Sequence, residues 1–339
     1  MNDQKRVRLV ILNKLEDTFD FFDIKTRQFV GSVAVPAHPH EMALSADGRF
    51  AYASIYGDGV YGNNVHPGHE IAVADLVTMQ SLGTIDVHPY LGPHGIAVHP
   101  DGSLWVTCDE SNVVVVIDPH QRSVVEVVEM GTHGGHFIAM TVDRSKAYVS
   151  NKDTSFLNVI DTRGRRVAKR IDVTDGGEGL SLSPDGTRLY VMSHMGSPLP
   201  NPNRPRTLAF YVIDAVKDTL LQTVELPNLP ELPLEVDKES RIRVTLDGKY
   251  LLISAFKWNT LSIVDAATLQ SLKTLIVGAG PMNFAFPPDE PSTVYLTNHG
   301  AGEVSKIDLK EFSVVQTFPS TPAPRRGKPE SLAFYQIGD

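Results

Sequence analysis

Seven aspartates recur along this 339-residue chain, at Asp23, Asp75, Asp118, Asp161, Asp214, Asp265 and Asp308, each closing a β-rich run such as NVVVVID or TLSIVD. The intervals are 43 residues in three cases and 51 to 53 in the others. That is the period of a four-stranded propeller blade with occasional insertions. Each unit of this kind is a small sheet that buries its faces only against its neighbours.

Within a unit the order is an apolar strand ending in a tight turn, a Tyr- or Val-rich strand, a strand ending at the recurrent Asp, and a Val- or Thr-rich strand. The second unit shows it plainly as HGIAVHPDG, SLWVTCDESN, NVVVVID and SVVEVVEM. Asp47, Asp101, Asp185 and Asp247 begin Asp-Gly hairpin signals, and Asp143 and Asp289 hold the same place without the glycine. First strands therefore start near His40, His94, His136, Glu178, Ser240, Met282 and Glu330. The last start leaves no room for three more strands, while the N-terminus begins with three strands and lacks a first. The expected fold is all-β, a seven-bladed β-propeller over residues 1–339 as a single domain. One blade, combining the N-terminal strands with the C-terminal strand, closes the ring and removes free sheet edges.

AYVSN, VYLTN and SPDG resemble the motifs of the YVTN family of seven-bladed propellers, a group related to lactonases, amine dehydrogenase subunits and the nitrite-reductase haem domain. The resemblance runs over essentially the whole chain and implies the same fold. GPHGIAVHPDGSLWVTCDESNVVVVID is also similar to the lactonase branch, where a PH step precedes the first strand and an acidic residue follows the second.

Bulk properties exclude some functions. A net charge of -9 and a pI near 5.7, with no face rich in Lys and Arg, argue against nucleic acid as a partner. No apolar run reaches membrane-spanning length, and the N-terminus enters a strand pattern without a signal-peptide cleavage site. The single Cys108 excludes intrachain disulfides and is expected to be inert packing. The expected location is cytoplasmic, or periplasmic if a leader has been removed.

The repeat also acts as a ruler. Counting back seven residues from each turn residue gives His40, His94, His136, Glu178, Ser240 and Met282, with Glu330 equivalent by its place before SLAFY. In a propeller these positions stand at the mouth of the central channel. Neutral imidazoles with a carboxylate suit a divalent metal, so His40, His94, His136 and Glu178 are expected ligands for Fe, Zn, Mn, Ni or Cu. At the level of geometry this resembles the His-lined iron site of carotenoid-cleaving propellers. A metal-free polar or acid/base site, or structural hydrogen bonds to loop backbones, are the alternatives.

Insertions at 57–69 and 195–206, and the long connections before Ser240 and Glu330, are expected to surround that mouth. Tyr61, His66 and His69 are candidates to cap it, although HPGH reads first as a polar surface turn. Arg241 and Arg243 replace small residues of an inner strand and demand an anionic partner, either a protein carboxylate or a ligand. Arg325, Arg326 and Lys328 are expected to form a solvated basic loop, with added positive potential at the mouth as the alternative. With His194 and Glu330, Arg241 and Arg243 make up the expected catalytic set. Asn151, Asn298 and His299 follow second strands, and His133 competes with His136.

The expected function is an enzyme acting on a small, anionic molecule through a metal at the channel mouth, as a hydrolase, lyase or oxidoreductase. Alternatives are a binding or scaffold propeller that docks a protein on the loop-rich face, and a metal-free lactonase-like hydrolase.

Overall fold

The protein is represented by a computed structural model that describes residues 6–26, 28–194, 208–226 and 239–338. Among these, 28 strands form seven four-stranded antiparallel sheets, and the one helical element is a three-residue turn at Phe256–Trp258. No helix in them is long and apolar enough to cross a membrane. Blade one runs through Pro39–Leu44, Phe50–Gly57, Pro67–Asp75 and Gln80–Asp86. Blades two to six begin at Pro93–Val98, Gly135–Met140, Gly177–Leu182, Ser240–Val244 and Pro281–Ala285. In blade seven Pro329–Ile337 pairs with Arg6–Asn13, which leads on to Thr18–Asp23 and Gln28–Ala34. Each first strand touches those of the blades before and after, so the chain is a closed seven-bladed β-propeller.

The core lies between blades rather than within them. Tyr52, Ile71 and Val73 of blade one pack on Leu104, Val106 and Val115 of blade two, and Val10, Phe19 and Phe21 of blade seven pack on Ala51 and Ala53 of blade one. The recurrent Asp residues are turn formers. Asp75 Oδ1 accepts from the amides of Val77 and Thr78 at 2.9 Å, and Asp265 Oδ1 from those of Ala267 and Thr268 at 3.0 and 2.7 Å.

Six first strands carry a one-residue bulge near their start. Pro39 pairs with Ile55 but Met42 with Ala53, so His40 and Glu41 together face Ser54. The same shift follows Pro93, Gly135, Gly177 and Pro281, and appears in blade seven between Leu12 and Asn13. Blade five lacks it, since Ser240, Arg241 and Ile242 pair without interruption with Ala255, Ser254 and Ile253. The seven-residue count therefore misplaces Ser240, which pairs as Pro39 does. Arg241 alone fills the stretch that holds two residues elsewhere.

Candidate functional site

Side-chain hydroxyls on second strands lock the bulges and tie each to the next blade. Ser54 Oγ accepts from the Glu41 amide at 3.1 Å and donates to the His94 carbonyl at 2.8 Å. Thr107 repeats this, accepting from the Gly95 amide at 2.8 Å and donating to the His136 carbonyl at 2.6 Å. Consecutive histidines are thereby set at fixed heights on the axis.

Read across the ring closure, five consecutive blades present Glu330, His40, His94, His136 and Glu178, all buried. The His40 and His94 ring centres are 4.5 Å apart, and His94 stacks on His136 at 3.6 Å with 23° between planes. Carboxylates terminate the arc, with His40 Nδ1 3.9 Å from Glu330 Oε2 and His136 Nε2 3.7 Å from Glu178 Oε1.

Each carboxylate stands between a Lys and a His that follow second strands. Lys152 of the preceding blade and His194 of the same blade lie 3.1 and 3.4 Å from Glu178 Oε2. For Glu330 Oε1 the types exchange places, His299 coming from the preceding blade at 3.5 Å and Lys14 from its own at 3.4 Å. Arg241 adds a 2.7 Å bond to Glu178 Oε1, approaches Glu41 Oε1 at 3.8 Å and lies 4.3 Å over the Phe137 ring. Its partner is thus carboxylate of the protein. Burial alone would raise the Glu178 pKa, but Lys152, His194 and Arg241 outweigh it and hold the group well below the usual carboxylate range. Burial keeps the three imidazoles neutral, reinforced by Lys14 at His40, Lys152 at His94 and His94 at His136.

Within the arc, His40, Glu41 and His94 place their donor atoms within 4.8 Å of one another. His94 Nδ1 contacts the His136 carbonyl at 3.2 Å, and a carbonyl only accepts, so Nδ1 carries the proton and Nε2 keeps its lone pair. That Nε2 and His40 Nδ1 are buried without a hydrogen-bond partner. Burial, partly offset by Arg241, raises the Glu41 pKa to about 7. His136 is engaged differently, since its Nδ1 faces Asp109 at 3.2 Å and its Nε2 faces Glu178. The buried Tyr56 ring stands edge-on to His40 and His94 at 5.2 and 5.4 Å.

The structure thus gathers His40, His94, His136 and Glu178 as the repeat implied, with His194 and Glu330 beside them. Arg243 instead lines the channel beyond Glu41, exposed to solvent. Tyr61 covers the mouth, its ring 5.7 Å from His136 and 5.3 Å from Lys152 Nζ, its hydroxyl donating to Asp153. His66 and His69 pair with Asp58 and Asp86 at 2.6 and 3.0 Å, away from the arc. Asn151 and Asn298 bond inside their blades, to the Phe156 carbonyl and Ser305 at 2.8 Å. His133 is exposed. Arg325 is taken up by Glu16 and Asp20 at 3.1 Å, while Lys328 and Lys14 line a cavity of about 640 Å³ with His38 and His299. The 195–206 insertion and residues 227–238 of the next long connection lie outside the described residues.

Sequence reasoning missed Glu41, Tyr56, Lys14 and Lys152, and reached Asp109 only as the acidic residue after the second strand of the lactonase-like stretch. The two lysines had a signal, as each follows the Asn that ends a second strand, in ILNK and VSNK. Glu41 had none, because a bulge is invisible in a strand pattern.

No protein-family model matches the chain. Over 121 residues, 33% of the chain, it is 33% identical to Antigen Lp49 of Leptospira interrogans, and the match spans 23% of that relative's length. Among solved structures it is similar to a putative 6-phosphogluconolactonase from Bacteroides fragilis, with 14% identity, 98% of this chain and 99% of that one covered, and a TM-score of 0.75. It is also similar to the periplasmic gluconolactonase of Pseudomonas aeruginosa, with 18% identity, coverage of 97% and 99%, and a TM-score of 0.71. Hydrazine synthase of Kuenenia stuttgartiensis aligns with 19% identity, coverage of 88% and 92%, and a TM-score of 0.69. What these share with the chain is the fold.

Proposed function

We propose that this propeller is an enzyme acting on a small anionic molecule at the histidine-lined mouth, with a divalent metal ion held by His40, Glu41 and His94. The observation that carries the reading is that His40, Glu41 and His94 each offer a ligand atom within 4.8 Å of the others, and that each of the two rings keeps a buried nitrogen without a hydrogen bond. Two neutral imidazoles and one carboxylate fit Fe(II), Zn, Mn, Ni or Cu. Such an ion, when bound, supplies Lewis acidity toward a substrate oxygen or water. Glu178 is a poorer ligand than first expected, because Lys152 and Arg241 occupy its oxygens.

The chain's own residues do the rest. Lys14 and Lys152, paired with Glu330 and Glu178 at the two ends of the arc, supply the positive charge that draws the substrate's anionic group. His136 can take a proton from bound substrate or water and hand it to Asp109, whose carboxyl burial pushes well above the usual carboxylate range. Tyr56, its pKa raised by burial and by Asp109, stays protonated and offers a donor. Tyr61 restricts water above His136. Elemental analysis of protein purified without an affinity tag tests the reading. At least half an equivalent of metal, roughly, after reconstitution is expected, and less than about a tenth defeats it.

A second reading, a metal-free lactonase-like hydrolase, is favoured by His136 lying between two buried carboxylates. It is also in keeping with the two gluconolactonase structures that share the fold over nearly the whole chain. Lactone hydrolysis that survives chelation but is lost in His136→Ala selects it over the metal reading.

A further inference from the structure

Beyond Glu41 and Arg241 the axis widens toward the opposite face, the one carrying the Asp-Gly turns, into a chamber of about 630 Å³. That lies within the roughly 300–1,000 Å³ of small-molecule sites. The repeat explains the space. Where first strands converge, equivalent positions hold small residues: Ala43 pairs with Tyr52, Ala97 with Trp105, Ala139 with Tyr148, Ser181 with Tyr190 and Ala285 with Tyr295. Blade five breaks this ring, placing Arg243 opposite Leu252.

The wall is mixed, with Leu44, Phe137, Leu182, Phe286 and Phe334 supplying apolar patches beside a comparable extent of polar surface. Three charged residues line it: Glu41, Arg241 and Arg243. The first two are engaged, Glu41 by Asn283 at 3.3 Å and by Arg241, and Arg241 by Glu178. Arg243 is attracted by Glu41 but has no hydrogen bond or ion pair within 4 Å among the described residues, and its side chain is exposed to the chamber. A solvent-exposed guanidinium beside apolar patches favours an anion that brings its own apolar body, because the planar fork matches a carboxylate and the patches gain by losing water.

We propose that this chamber is a second binding site, for a small amphiphilic monoanion whose carboxylate sits on Arg243 and whose apolar body lies along the aromatic and aliphatic patches of the wall. A neutral amphiphile leaves the guanidinium without a partner, and a cationic one is repelled. The chamber adjoins the histidine arc at Glu41 and Arg241, but its anchor Arg243 is not among the metal ligands, so the proposal does not rest on the arc binding metal.

Isothermal titration of the whole protein with octanoate, octanol and octylammonium tests this. Octanoate should bind once per chain, about tenfold or more tighter than octanol, and octylammonium should not bind. Arg243→Gln should weaken octanoate roughly ten- to hundredfold, as expected for loss of a charge-assisted bond, and leave octanol unchanged. Arg243→Lys should fall between wild type and Arg243→Gln, since it keeps the charge but loses the planar fork. Octanoate binding that is absent, equal to octanol, or indifferent to Arg243→Gln overturns the proposal. The wild-type comparison of acid with alcohol decides it even where a variant fails to fold.

Discussion

Arg241 and Glu178 meet across the boundary between blades five and four, Nη1 to Oε1 at 2.7 Å, with both side chains buried. Glu178 also faces Lys152 at 3.1 Å, so one carboxylate balances two cations at the axis. Removing Glu178 leaves Lys152 unpaired and Arg241 with only Glu41 at 3.8 Å, whereas removing Arg241 leaves the Lys152 pair. Glu178→Gln should cost about 3–5 kcal/mol and Arg241→Met less, with the double variant losing less than the sum. Denaturant unfolding measures all three, and strict additivity would show that the pair is not coupled.

The candidate metal set makes a residue-specific prediction. After metal removal and titration with Zn, His40→Ala, Glu41→Gln and His94→Ala should each weaken binding by at least about tenfold. His136→Gln should change it far less, because that ring faces Asp109 and Glu178. An equal loss at His136 would restore the three-histidine set implied by the repeat.

Acid should destabilise the metal-free protein below neutrality. His40, His94 and His136 have folded-state pKa values held well below 6.5 by burial, so between those values and 6.5 the unfolded chain binds more protons. Stability therefore rises with pH through that window, is complete above it, and is lost as pH falls. Each histidine contributes a slope of up to about 1.4 kcal/mol per pH unit. Unfolding measured from pH 7 to pH 5 should show this, with a shallower slope in His136→Gln. A flat profile would contradict the burial of neutral imidazoles.

Ring closure offers a fourth test. Arg325 bonds Asp20 at 3.1 and 3.2 Å and Thr18 at 2.8 Å, joining the last connection to the N-terminal strands. Arg325→Met should cost about 1.5–3 kcal/mol, as for hydrogen bonds to charged groups, and should raise amide exchange in Arg6–Asn13. Unchanged exchange there would place the closure energy in the strand pairing alone.

Blade number, turn chemistry and the shared closing blade were legible because they are local. An aspartate that caps a turn, a glycine or its substitute in the hairpin, and alternating apolar residues act within one unit, and the period repeats them seven times. His40, His94, His136, Glu178 and Glu330 were legible for the same reason, as one height on a repeated strand. Glu41 was not, because the bulge that turns it toward His94 depends on pairing with Ser54 and its next-blade contact.

The amino-acid sequence by itself determined the propeller and the height of its ionisable ring, since both follow from a short-range pattern. Tertiary structure alone decided which of those groups share a charge and which are left free. Circular closure brings Glu330 beside His40, although 290 residues separate them, and the missing bulge of blade five carries Arg241 onto Glu178. Interactions between charges depend on distance in space and on exclusion of water, and neither is written in the spacing along the chain.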